Sequence, residues 1–181
     1  MKQLDGTGMK RLHRQWRTVT SGRLALILDG LGTPVNVGSI ARTAAAYRVD
    51  HVWLAGPTPG FDSPGVAKTA LGTDRYLEST PTATALAAIE AAKKQGYRVI
   101  GIELADQAEP LHEMALLGDI CFVVGHEDHG IGKAAIAACD AVAYIPMLGK
   151  VGSLNVAMAA GMAMYEARRQ SWASSAEPTA L

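Results

Sequence analysis

Three glycine-containing segments carry the residues best suited to chemistry, and the last of them is the most informative. It runs from Ile145 to Val156, where an apolar strand ends at Pro146 and a loop with two glycines leads to Ser153 and Asn155 at the start of a helix. Glycines let a main chain approach a ligand closely, so its N–H and C=O groups become available for binding. The segment favours a nucleotide-like ligand held by backbone groups, although Ser153 is equally suited to capping the helix.

A second segment, Pro34 to Arg42, combines a helix start with an arginine. Asn36 is predicted as the N-cap, and Arg42 follows about one and a half helical turns later, from where its guanidinium can reach back toward the loop. The alternative is a capped helix that carries an ordinary surface arginine. The segment has neither a G-x-x-x-x-G-K-[ST] nor a G-x-G-x-x-G pattern, which disfavours a P-loop or an ordinary dinucleotide-binding fold.

The remaining segment, Val123 to Gly132, is an apolar strand that ends at Gly125 and is followed by Glu127 and two further glycines. Three potential metal ligands stand in the same stretch: His126, Asp128 and His129. Their spacing matches neither H-E-x-x-H nor a Cys/His zinc pattern, and adjacent side chains diverge, so a metal site is disfavoured. The stretch also differs from the G-x-S-x-G turn of serine hydrolases.

The hydrophobic pattern predicts strands alternating with helices. The predicted strands are 23–29, 51–56, 98–104, 118–125 and 141–145, with a weak one at 75–78. The predicted helices are 37–49, 66–71, 82–95, 133–139 and a last one that ends near 171. This order favours an α/β fold, a parallel sheet with helices on both faces. Ligands of such sheets bind beyond the carboxyl ends of the strands, here in loops that begin at Gly30, Glu103, Gly125 and Ile145.

Composition limits the class of protein. The chain has 181 residues, 49% of them hydrophobic, which is enough for one domain with a substantial core. Cys121 and Cys139 lie in apolar surroundings, so free thiols in a reducing cytoplasm are favoured over a disulfide or a metal pair. No apolar run typical of a signal peptide is evident. The last helix is broken by Gly161 and ends in charged residues, so no membrane span is expected.

Charge is unevenly distributed, although 17 basic and 17 acidic side chains cancel over the whole chain. Residues 1–23 carry six basic side chains and one carboxylate, a net charge of +5, which leaves −5 for the rest. We predict a basic arm over 1–22, a domain over 23–171 and a disordered tail over 172–181. On a helix, Arg11, Arg14 and Arg17 would form a loose stripe facing phosphates. The alternative for the arm is a solvated, partly disordered tail.

Taken in this order, the three segments resemble motifs one, two and three of the SpoU (TrmH-type) family of the SPOUT RNA methyltransferases. The family patterns are N-x-G-x-x-x-R, G-x-E-x-x-G-[IL] and I-P-M-x-G-x-x-x-S-L-N-V, which this chain matches at 36–42, 125–131 and 145–156. Each motif alone is weakly to moderately specific, but three in order at the ends of strands are highly specific. Ala157 stands where many members have serine, and the Asp128–His129 pair lies where the family varies.

The resemblance implies a SPOUT fold with a C-terminal trefoil knot, and a homodimer with its active site at the subunit interface. It implies S-adenosylmethionine as the cofactor and methyl transfer to a ribose 2′-hydroxyl of RNA, with Arg42 engaging that hydroxyl and the adjacent phosphate. The residues implied to shape this pocket are Asn36, Glu127, Ser153 and Asn155. Those implied to line the methionine and adenine cavity are Glu103, Leu104, Gly125, Ile145, Met147 and Leu154.

The RNA substrate is left open between tRNA and rRNA, and the short arms with no added domain favour tRNA. A non-catalytic RNA-binding protein of the same fold and a bare nucleotide-binding module are the alternatives of other classes. Because an arginine is mostly protonated at neutral pH, we expect Arg42 to stabilise developing oxyanion charge while phosphate or water accepts the proton. Glu127 is expected to orient loops or RNA.

Overall fold

The computed structural model describes residues 3–175. Its centre is a seven-stranded sheet in the order β3-β2-β1-β6-β4-β7-β5, with parallel pairing at every step. The strands are β1 (Leu24–Asp29), β2 (His51–Ala55), β3 (Glu78–Thr82), β4 (Arg98–Ile102), β5 (Glu109–Pro110), β6 (Ile120–Gly125) and β7 (Ala141–Tyr144). The helices are α1 (Gly6–Thr18), α2 (Pro34–Ala46), α3 (Pro64–Ala70), α4 (Ala85–Lys94), α5 (Lys133–Ala138) and α6 (Val156–Ser174). The predicted α/β class is confirmed.

The central strands are buried on both faces, which is why they are apolar without alternation. Leu24, Leu26 and Leu28 of β1 pack in one core cluster with α2, α3 and α6. Ala25 and Ile27 of the same strand pack on the opposite face with α4 and α5. Helices therefore cover both faces, as predicted, and the carboxyl ends of the strands remain open for a ligand.

The two edge strands differ most from the prediction. The expected strand at 75–78 is wrong, because a 3₁₀ turn over Asp74–Tyr76 precedes β3 at Glu78–Thr82. β3 pairs only with β2, and its exposed residues leave no apolar pattern; Pro81 is tolerated on such an edge. The two-residue β5 at the other edge was not predicted, since so short a strand has no periodicity.

The beginning and the end of the domain meet beside α2. The buried guanidinium of Arg168 donates to the carbonyls of Tyr47, Arg48 and Gly22 at 2.8–2.9 Å, which satisfies acceptors at the end of α2. The backbone N–H of Ser21 donates to Ser171 Oγ at 2.9 Å. These bonds fix α6 against the end of α2 and against the segment that leads into β1.

The basic arm is helical in the structure. α1 begins at Gly6 and is capped by the side chain of Asp5. It contacts α6 through Trp16 and Trp172, whose ring centroids are 4.9 Å apart. Trp172 also donates from Nε1 to Thr20 Oγ1 at 2.8 Å, and Ser175 Oγ donates to the Val19 carbonyl at 2.7 Å. α6 thus continues to Ser174, beyond the predicted end near 171, because Trp172 is packed against the arm. The rest of the predicted tail, 176–181, lies outside the described residues.

Cys121 and Cys139 are free thiols; Cys121 is buried and Cys139 is partly buried. Between residues 3 and 175 no helix combines the length and hydrophobicity needed to cross a membrane. The trefoil knot implied by the resemblance stays a prediction.

Candidate functional site

A cavity of about 450 Å³ opens at the carboxyl ends of β4, β6 and β7. This volume lies within the range of small-molecule sites, roughly 300–1,000 Å³. All six residues predicted to line a cofactor cavity do line it: Glu103, Leu104, Gly125, Ile145, Met147 and Leu154. Their assignment to a cofactor stays a prediction, but the topology brings the three loops together as expected.

The loop between β6 and α5 forms one wall and is tightly folded on itself. His126 and Gly130 exchange two backbone hydrogen bonds, N–H to O, of 3.1 and 2.8 Å. Gly125 must lack a side chain, because a Cβ there would overlap the Gly130 carbonyl. The Glu103 carboxylate accepts from the N–H groups of Ile131 at 2.9 Å and Leu104 at 3.0 Å, which ties this loop to the end of β4. Glu103 therefore anchors the wall as well as lining the cavity.

A chain of hydrogen bonds leads from the cavity wall to α2 and α6. The Asn36 side chain donates from Nδ2 to Glu127 Oε1 at 2.7 Å, and Asn155 Nδ2 donates to Asn36 Oδ1 at 3.0 Å. Asn155 Oδ1 in turn accepts from the first backbone N–H groups of α6. Three of the residues predicted to shape the acceptor pocket, one from each motif, are thus in direct contact.

Glu127 is held as a carboxylate. Besides Asn36, the N–H groups of Gly32 and Thr33 donate to its two oxygens at 3.0 and 3.2 Å. Partial burial raises the pKa of Glu127, but the hydrogen bonds from Asn36, from its own backbone and from Gly32 outweigh this and lower the pKa to about 2. A group that stays ionised and occupied by donors near neutral pH is a weak proton acceptor.

The prediction that Asn36 caps α2 is wrong. The helix begins at Pro34 with Thr33 at the N-cap position, and Asn36 lies within the first turn. Proline is well suited to the first helical position, so the helix starts earlier than the asparagine indicates. The amide of Asn36 is thereby available for Glu127 and Asn155. The cap of α6 is Asn155, and Ser153 instead lines the cavity as an exposed residue.

Arg42 is separate from this arrangement. It is exposed in the middle of α2 and absent from the lining of the cavity, and its guanidinium makes no hydrogen bond or ion pair with any residue of 3–175. The expectation that its guanidinium reaches back toward the loop is not met within one chain. The three arginines of α1, Arg11, Arg14 and Arg17, are also exposed.

Two cavity residues were considered in the sequence only as metal ligands. His126 and His129 both line the cavity, and their rings stack with centroids 4.8 Å apart. Across the described part of the chain, no cluster of three or more His, Cys, Asp or Glu side chains is arranged to hold a metal ion. In the sequence, the only indication of this stacking was that two histidines stand close together in a loop bounded by glycines.

The profile of the SpoU rRNA methylase family matches residues 23–165. The chain belongs to this family. It is 37% identical over 150 residues to the 23S rRNA (guanosine-2′-O-)-methyltransferase RlmB of Acinetobacter baylyi, covering 81% of this chain and 60% of that protein. It is 33% identical over 150 residues to the tRNA (guanosine(18)-2′-O)-methyltransferase of Escherichia coli, covering 81% of this chain and 63% of that protein. The chain thus spans about three fifths of the length of these relatives.

Solved structures agree with the fold. The SpoU methyltransferase AviRb of Streptomyces viridochromogenes, solved with AdoMet, superposes with a TM-score of 0.72 at 25% identity, over 83% of this chain and 61% of that one. A second structure, described as giving insights into the 2-OH methylation of C/U34 on tRNA, superposes with a TM-score of 0.73 at 31% identity. It covers 82% of this chain and 96% of its own, so its length is close to that of the domain described here.

Proposed function

We propose that this protein transfers a methyl group from S-adenosylmethionine to a ribose 2′-hydroxyl of RNA. The observation that carries the proposal is the contact of the three motifs. One cavity is lined by the residues predicted for the cofactor, and the Glu127–Asn36–Asn155 chain joins its wall to the helix of Arg42. The AdoMet complex of AviRb supports the cofactor, and the names of the relatives support a ribose acceptor.

The cavity suits the cofactor chemically. Met147 and Leu154 supply apolar wall, and the loops at Gly125 and Gly152 bring main chain close to the ligand. When bound there, S-adenosylmethionine supplies a methyl group already activated as a sulfonium. The protein's share is to hold donor and acceptor in line, and such positioning contributes several kcal/mol to the rate, on the order of 7–11 in the best cases.

We assign Arg42 to the acceptor side. A guanidinium placed at the ribose stabilises the developing oxyanion and binds the adjacent phosphate, while phosphate or water takes the proton. The lowered pKa of Glu127 supports a positioning role for that carboxylate, since it holds Asn36 and the loop before α2 in place. Ser153 is placed to contact the ligand directly, because it is exposed and lines the cavity.

We propose that the active unit is a homodimer. Met158, Met162 and Tyr165 form one apolar strip on α6 and are 46–55% exposed. This strip lies on the helix that packs against α2, where Gly161 faces Thr43, the neighbour of Arg42. Arg42 does not line the cavity of its own chain. In a dimer formed across this strip, Arg42 of one copy would contribute to the cavity of the other copy.

The dimer is tested by analytical ultracentrifugation. We expect a mass of twice the 19.0 kDa of one chain. Met162→Glu should give monomers and lose methyl transfer, whereas Leu86→Glu, at a partly exposed leucine of α4 on the opposite face of the sheet from α6, should stay dimeric. A wild-type monomer with full activity would remove this part of the proposal.

We propose tRNA as the substrate, with rRNA as the second candidate. The relative with nearly the same length as this domain is described with tRNA, and the basic helix α1 offers a phosphate-binding surface. The named relatives include both an rRNA and a tRNA methyltransferase, so the choice of substrate needs direct measurement. Free cysteines are consistent with action in the cytoplasm, where we place the protein.

The deciding experiment is methyl transfer with tritiated S-adenosylmethionine to unmodified tRNA and to rRNA, followed by mapping of the labelled nucleotide. Arg42→Lys should lower turnover about 100-fold, as expected for loss of an oxyanion-stabilising group, with cofactor affinity unchanged. Arg75→Lys, which replaces an exposed arginine outside the cavity, is the matched control. Near-wild-type turnover of Arg42→Lys would show that the guanidinium has no special role.

A further inference from the structure

Two imidazole rings stack at the cavity, and the proposed methyl transfer gives neither of them a role. His126 and His129 have ring centroids 4.8 Å apart and planes inclined by 21°. This is the offset-stacked geometry that aromatic pairs prefer. His126 is half-buried and His129 is exposed, so one ring supports the other and the outer ring faces solvent.

The loop fixes this pair before any ligand arrives. The His126–Gly130 backbone bonds close the loop, and the Asp128 N–H donates to His126 Nδ1 at 3.0 Å. The hydrogen bond to Nδ1 therefore fixes the orientation of the His126 ring, the inner one of the pair. A surface that is already ordered loses little conformational entropy when it binds.

The pair stands on the acceptor side of the site. A Cβ on Gly32 would lie 3.3 Å from His126 Nε2, so the inner ring packs against the loop that precedes α2. The same loop is held by Glu127, and it leads into the helix of Asn36, one of the residues predicted to shape the acceptor pocket. The face of His129 opposite His126 is therefore exposed to solvent.

We propose that His126 and His129 form a stacking platform for the base of the target nucleotide, with the base on the outer face of His129. The inference rests on the proposed function, and it takes the target nucleotide to lie in a single-stranded loop, where bases can be unstacked and splayed out. An unstacked base exposes an apolar ring face, and proteins recognise such bases by stacking them on aromatic side chains, histidine included. Every base has such a face, so the platform positions the nucleotide without selecting its identity.

Kinetics test the platform. His129→Ala should lower kcat/KM for RNA about tenfold, the effect of losing one base–aromatic stack, and leave the Kd for S-adenosylmethionine unchanged. His129→Phe keeps an aromatic face without the ring nitrogens and should stay within about threefold of wild type. His112→Ala, at an exposed histidine outside the cavity, should have no effect. A weaker cofactor Kd in His129→Ala with unchanged RNA kinetics would overturn the proposal, as would a His129→Phe variant as impaired as His129→Ala.

Nuclear magnetic resonance separates this inference from the proposed function. Among the five histidines of the chain, the ring protons of His129 should shift upfield when unmodified tRNA is added to the cofactor-loaded protein, because a stacked base shields them. This shift is read whether or not a methyl group is transferred. Transfer without the shift overturns the platform alone, and a shift without transfer overturns the proposed reaction alone.

Discussion

The contribution of the Glu127 carboxylate to the free energy of unfolding can be measured with a single substitution. Replacing it by glutamine keeps the shape of the side chain but removes the charge that three donors share: the Asn36 amide and the N–H groups of Gly32 and Thr33. The fold lowers the pKa of Glu127 from its ordinary value of 4.5 to about 2, which corresponds to about 3 kcal/mol of stabilisation of the ionised form. Because the group is partly exposed, screening reduces this to about 1–2 kcal/mol at neutral pH.

The pH dependence has a definite sign. The folded protein holds the pKa of Glu127 below its unfolded value, so the carboxylate stabilises the fold above about pH 4.5 and the contribution disappears as the pH falls toward about 2. Urea unfolding of wild type and Glu127→Gln should therefore differ by about 1–2 kcal/mol near pH 7. The difference should stay constant down to about pH 5 and shrink below it.

Glu90→Gln is the matched control, since Glu90 is exposed on α4 and should change the free energy of unfolding by less than about 0.5 kcal/mol. The reasoning is refuted by a Glu127→Gln protein as stable as wild type at pH 7. It is equally refuted by a difference that keeps its full size at pH 2, because the loss would then be one of shape and not of charge.

Three further predictions concern other parts of the molecule. Trp172→Ala should release α1 and speed tryptic cleavage inside it at least tenfold while the rest of the domain resists, and Trp172→Phe, which keeps a ring against Trp16, should not. Removal of residues 1–20 should weaken tRNA binding and flatten its salt dependence without changing the Kd for S-adenosylmethionine; an unchanged RNA affinity contradicts the role of the arm. Gly125→Ala should force the loop at Gly130 outward and weaken cofactor binding at least tenfold in calorimetry, whereas an unaltered Kd shows that this loop does not shape the cavity.

The features that could be predicted from sequence depend on burial. β1 and β6 are continuous apolar runs because helices cover both of their faces, so both strands and the parallel class followed directly. β3 was misplaced because an exposed edge strand with a proline has no such pattern. The meeting of the loops followed from the parallel sheet, whose carboxyl ends lie at one edge, whereas the individual cavity residues were implied by the family resemblance.

The parts that could not be predicted depend on individual side chains. Asn36 is a good cap by type, but Pro34 starts the helix first and leaves the amide free for Glu127. The distance of Arg42 from the cavity depends on how α2 is rotated against the sheet, which spacing alone does not fix. The stacking of His126 on His129 arises from the backbone closure of their loop, a tertiary property that residue types do not encode.

The contact between residues 19–21 and residues 171–175 has a practical consequence. Ser21 bonds Ser171 and Val19 bonds Ser175 just before β1 begins, whereas the cavity opens where the strands finish, about 20 Å away along a six-residue strand. A label or immobilisation tether attached at Ser175 is thus anchored at the opposite edge of the sheet from the ligand.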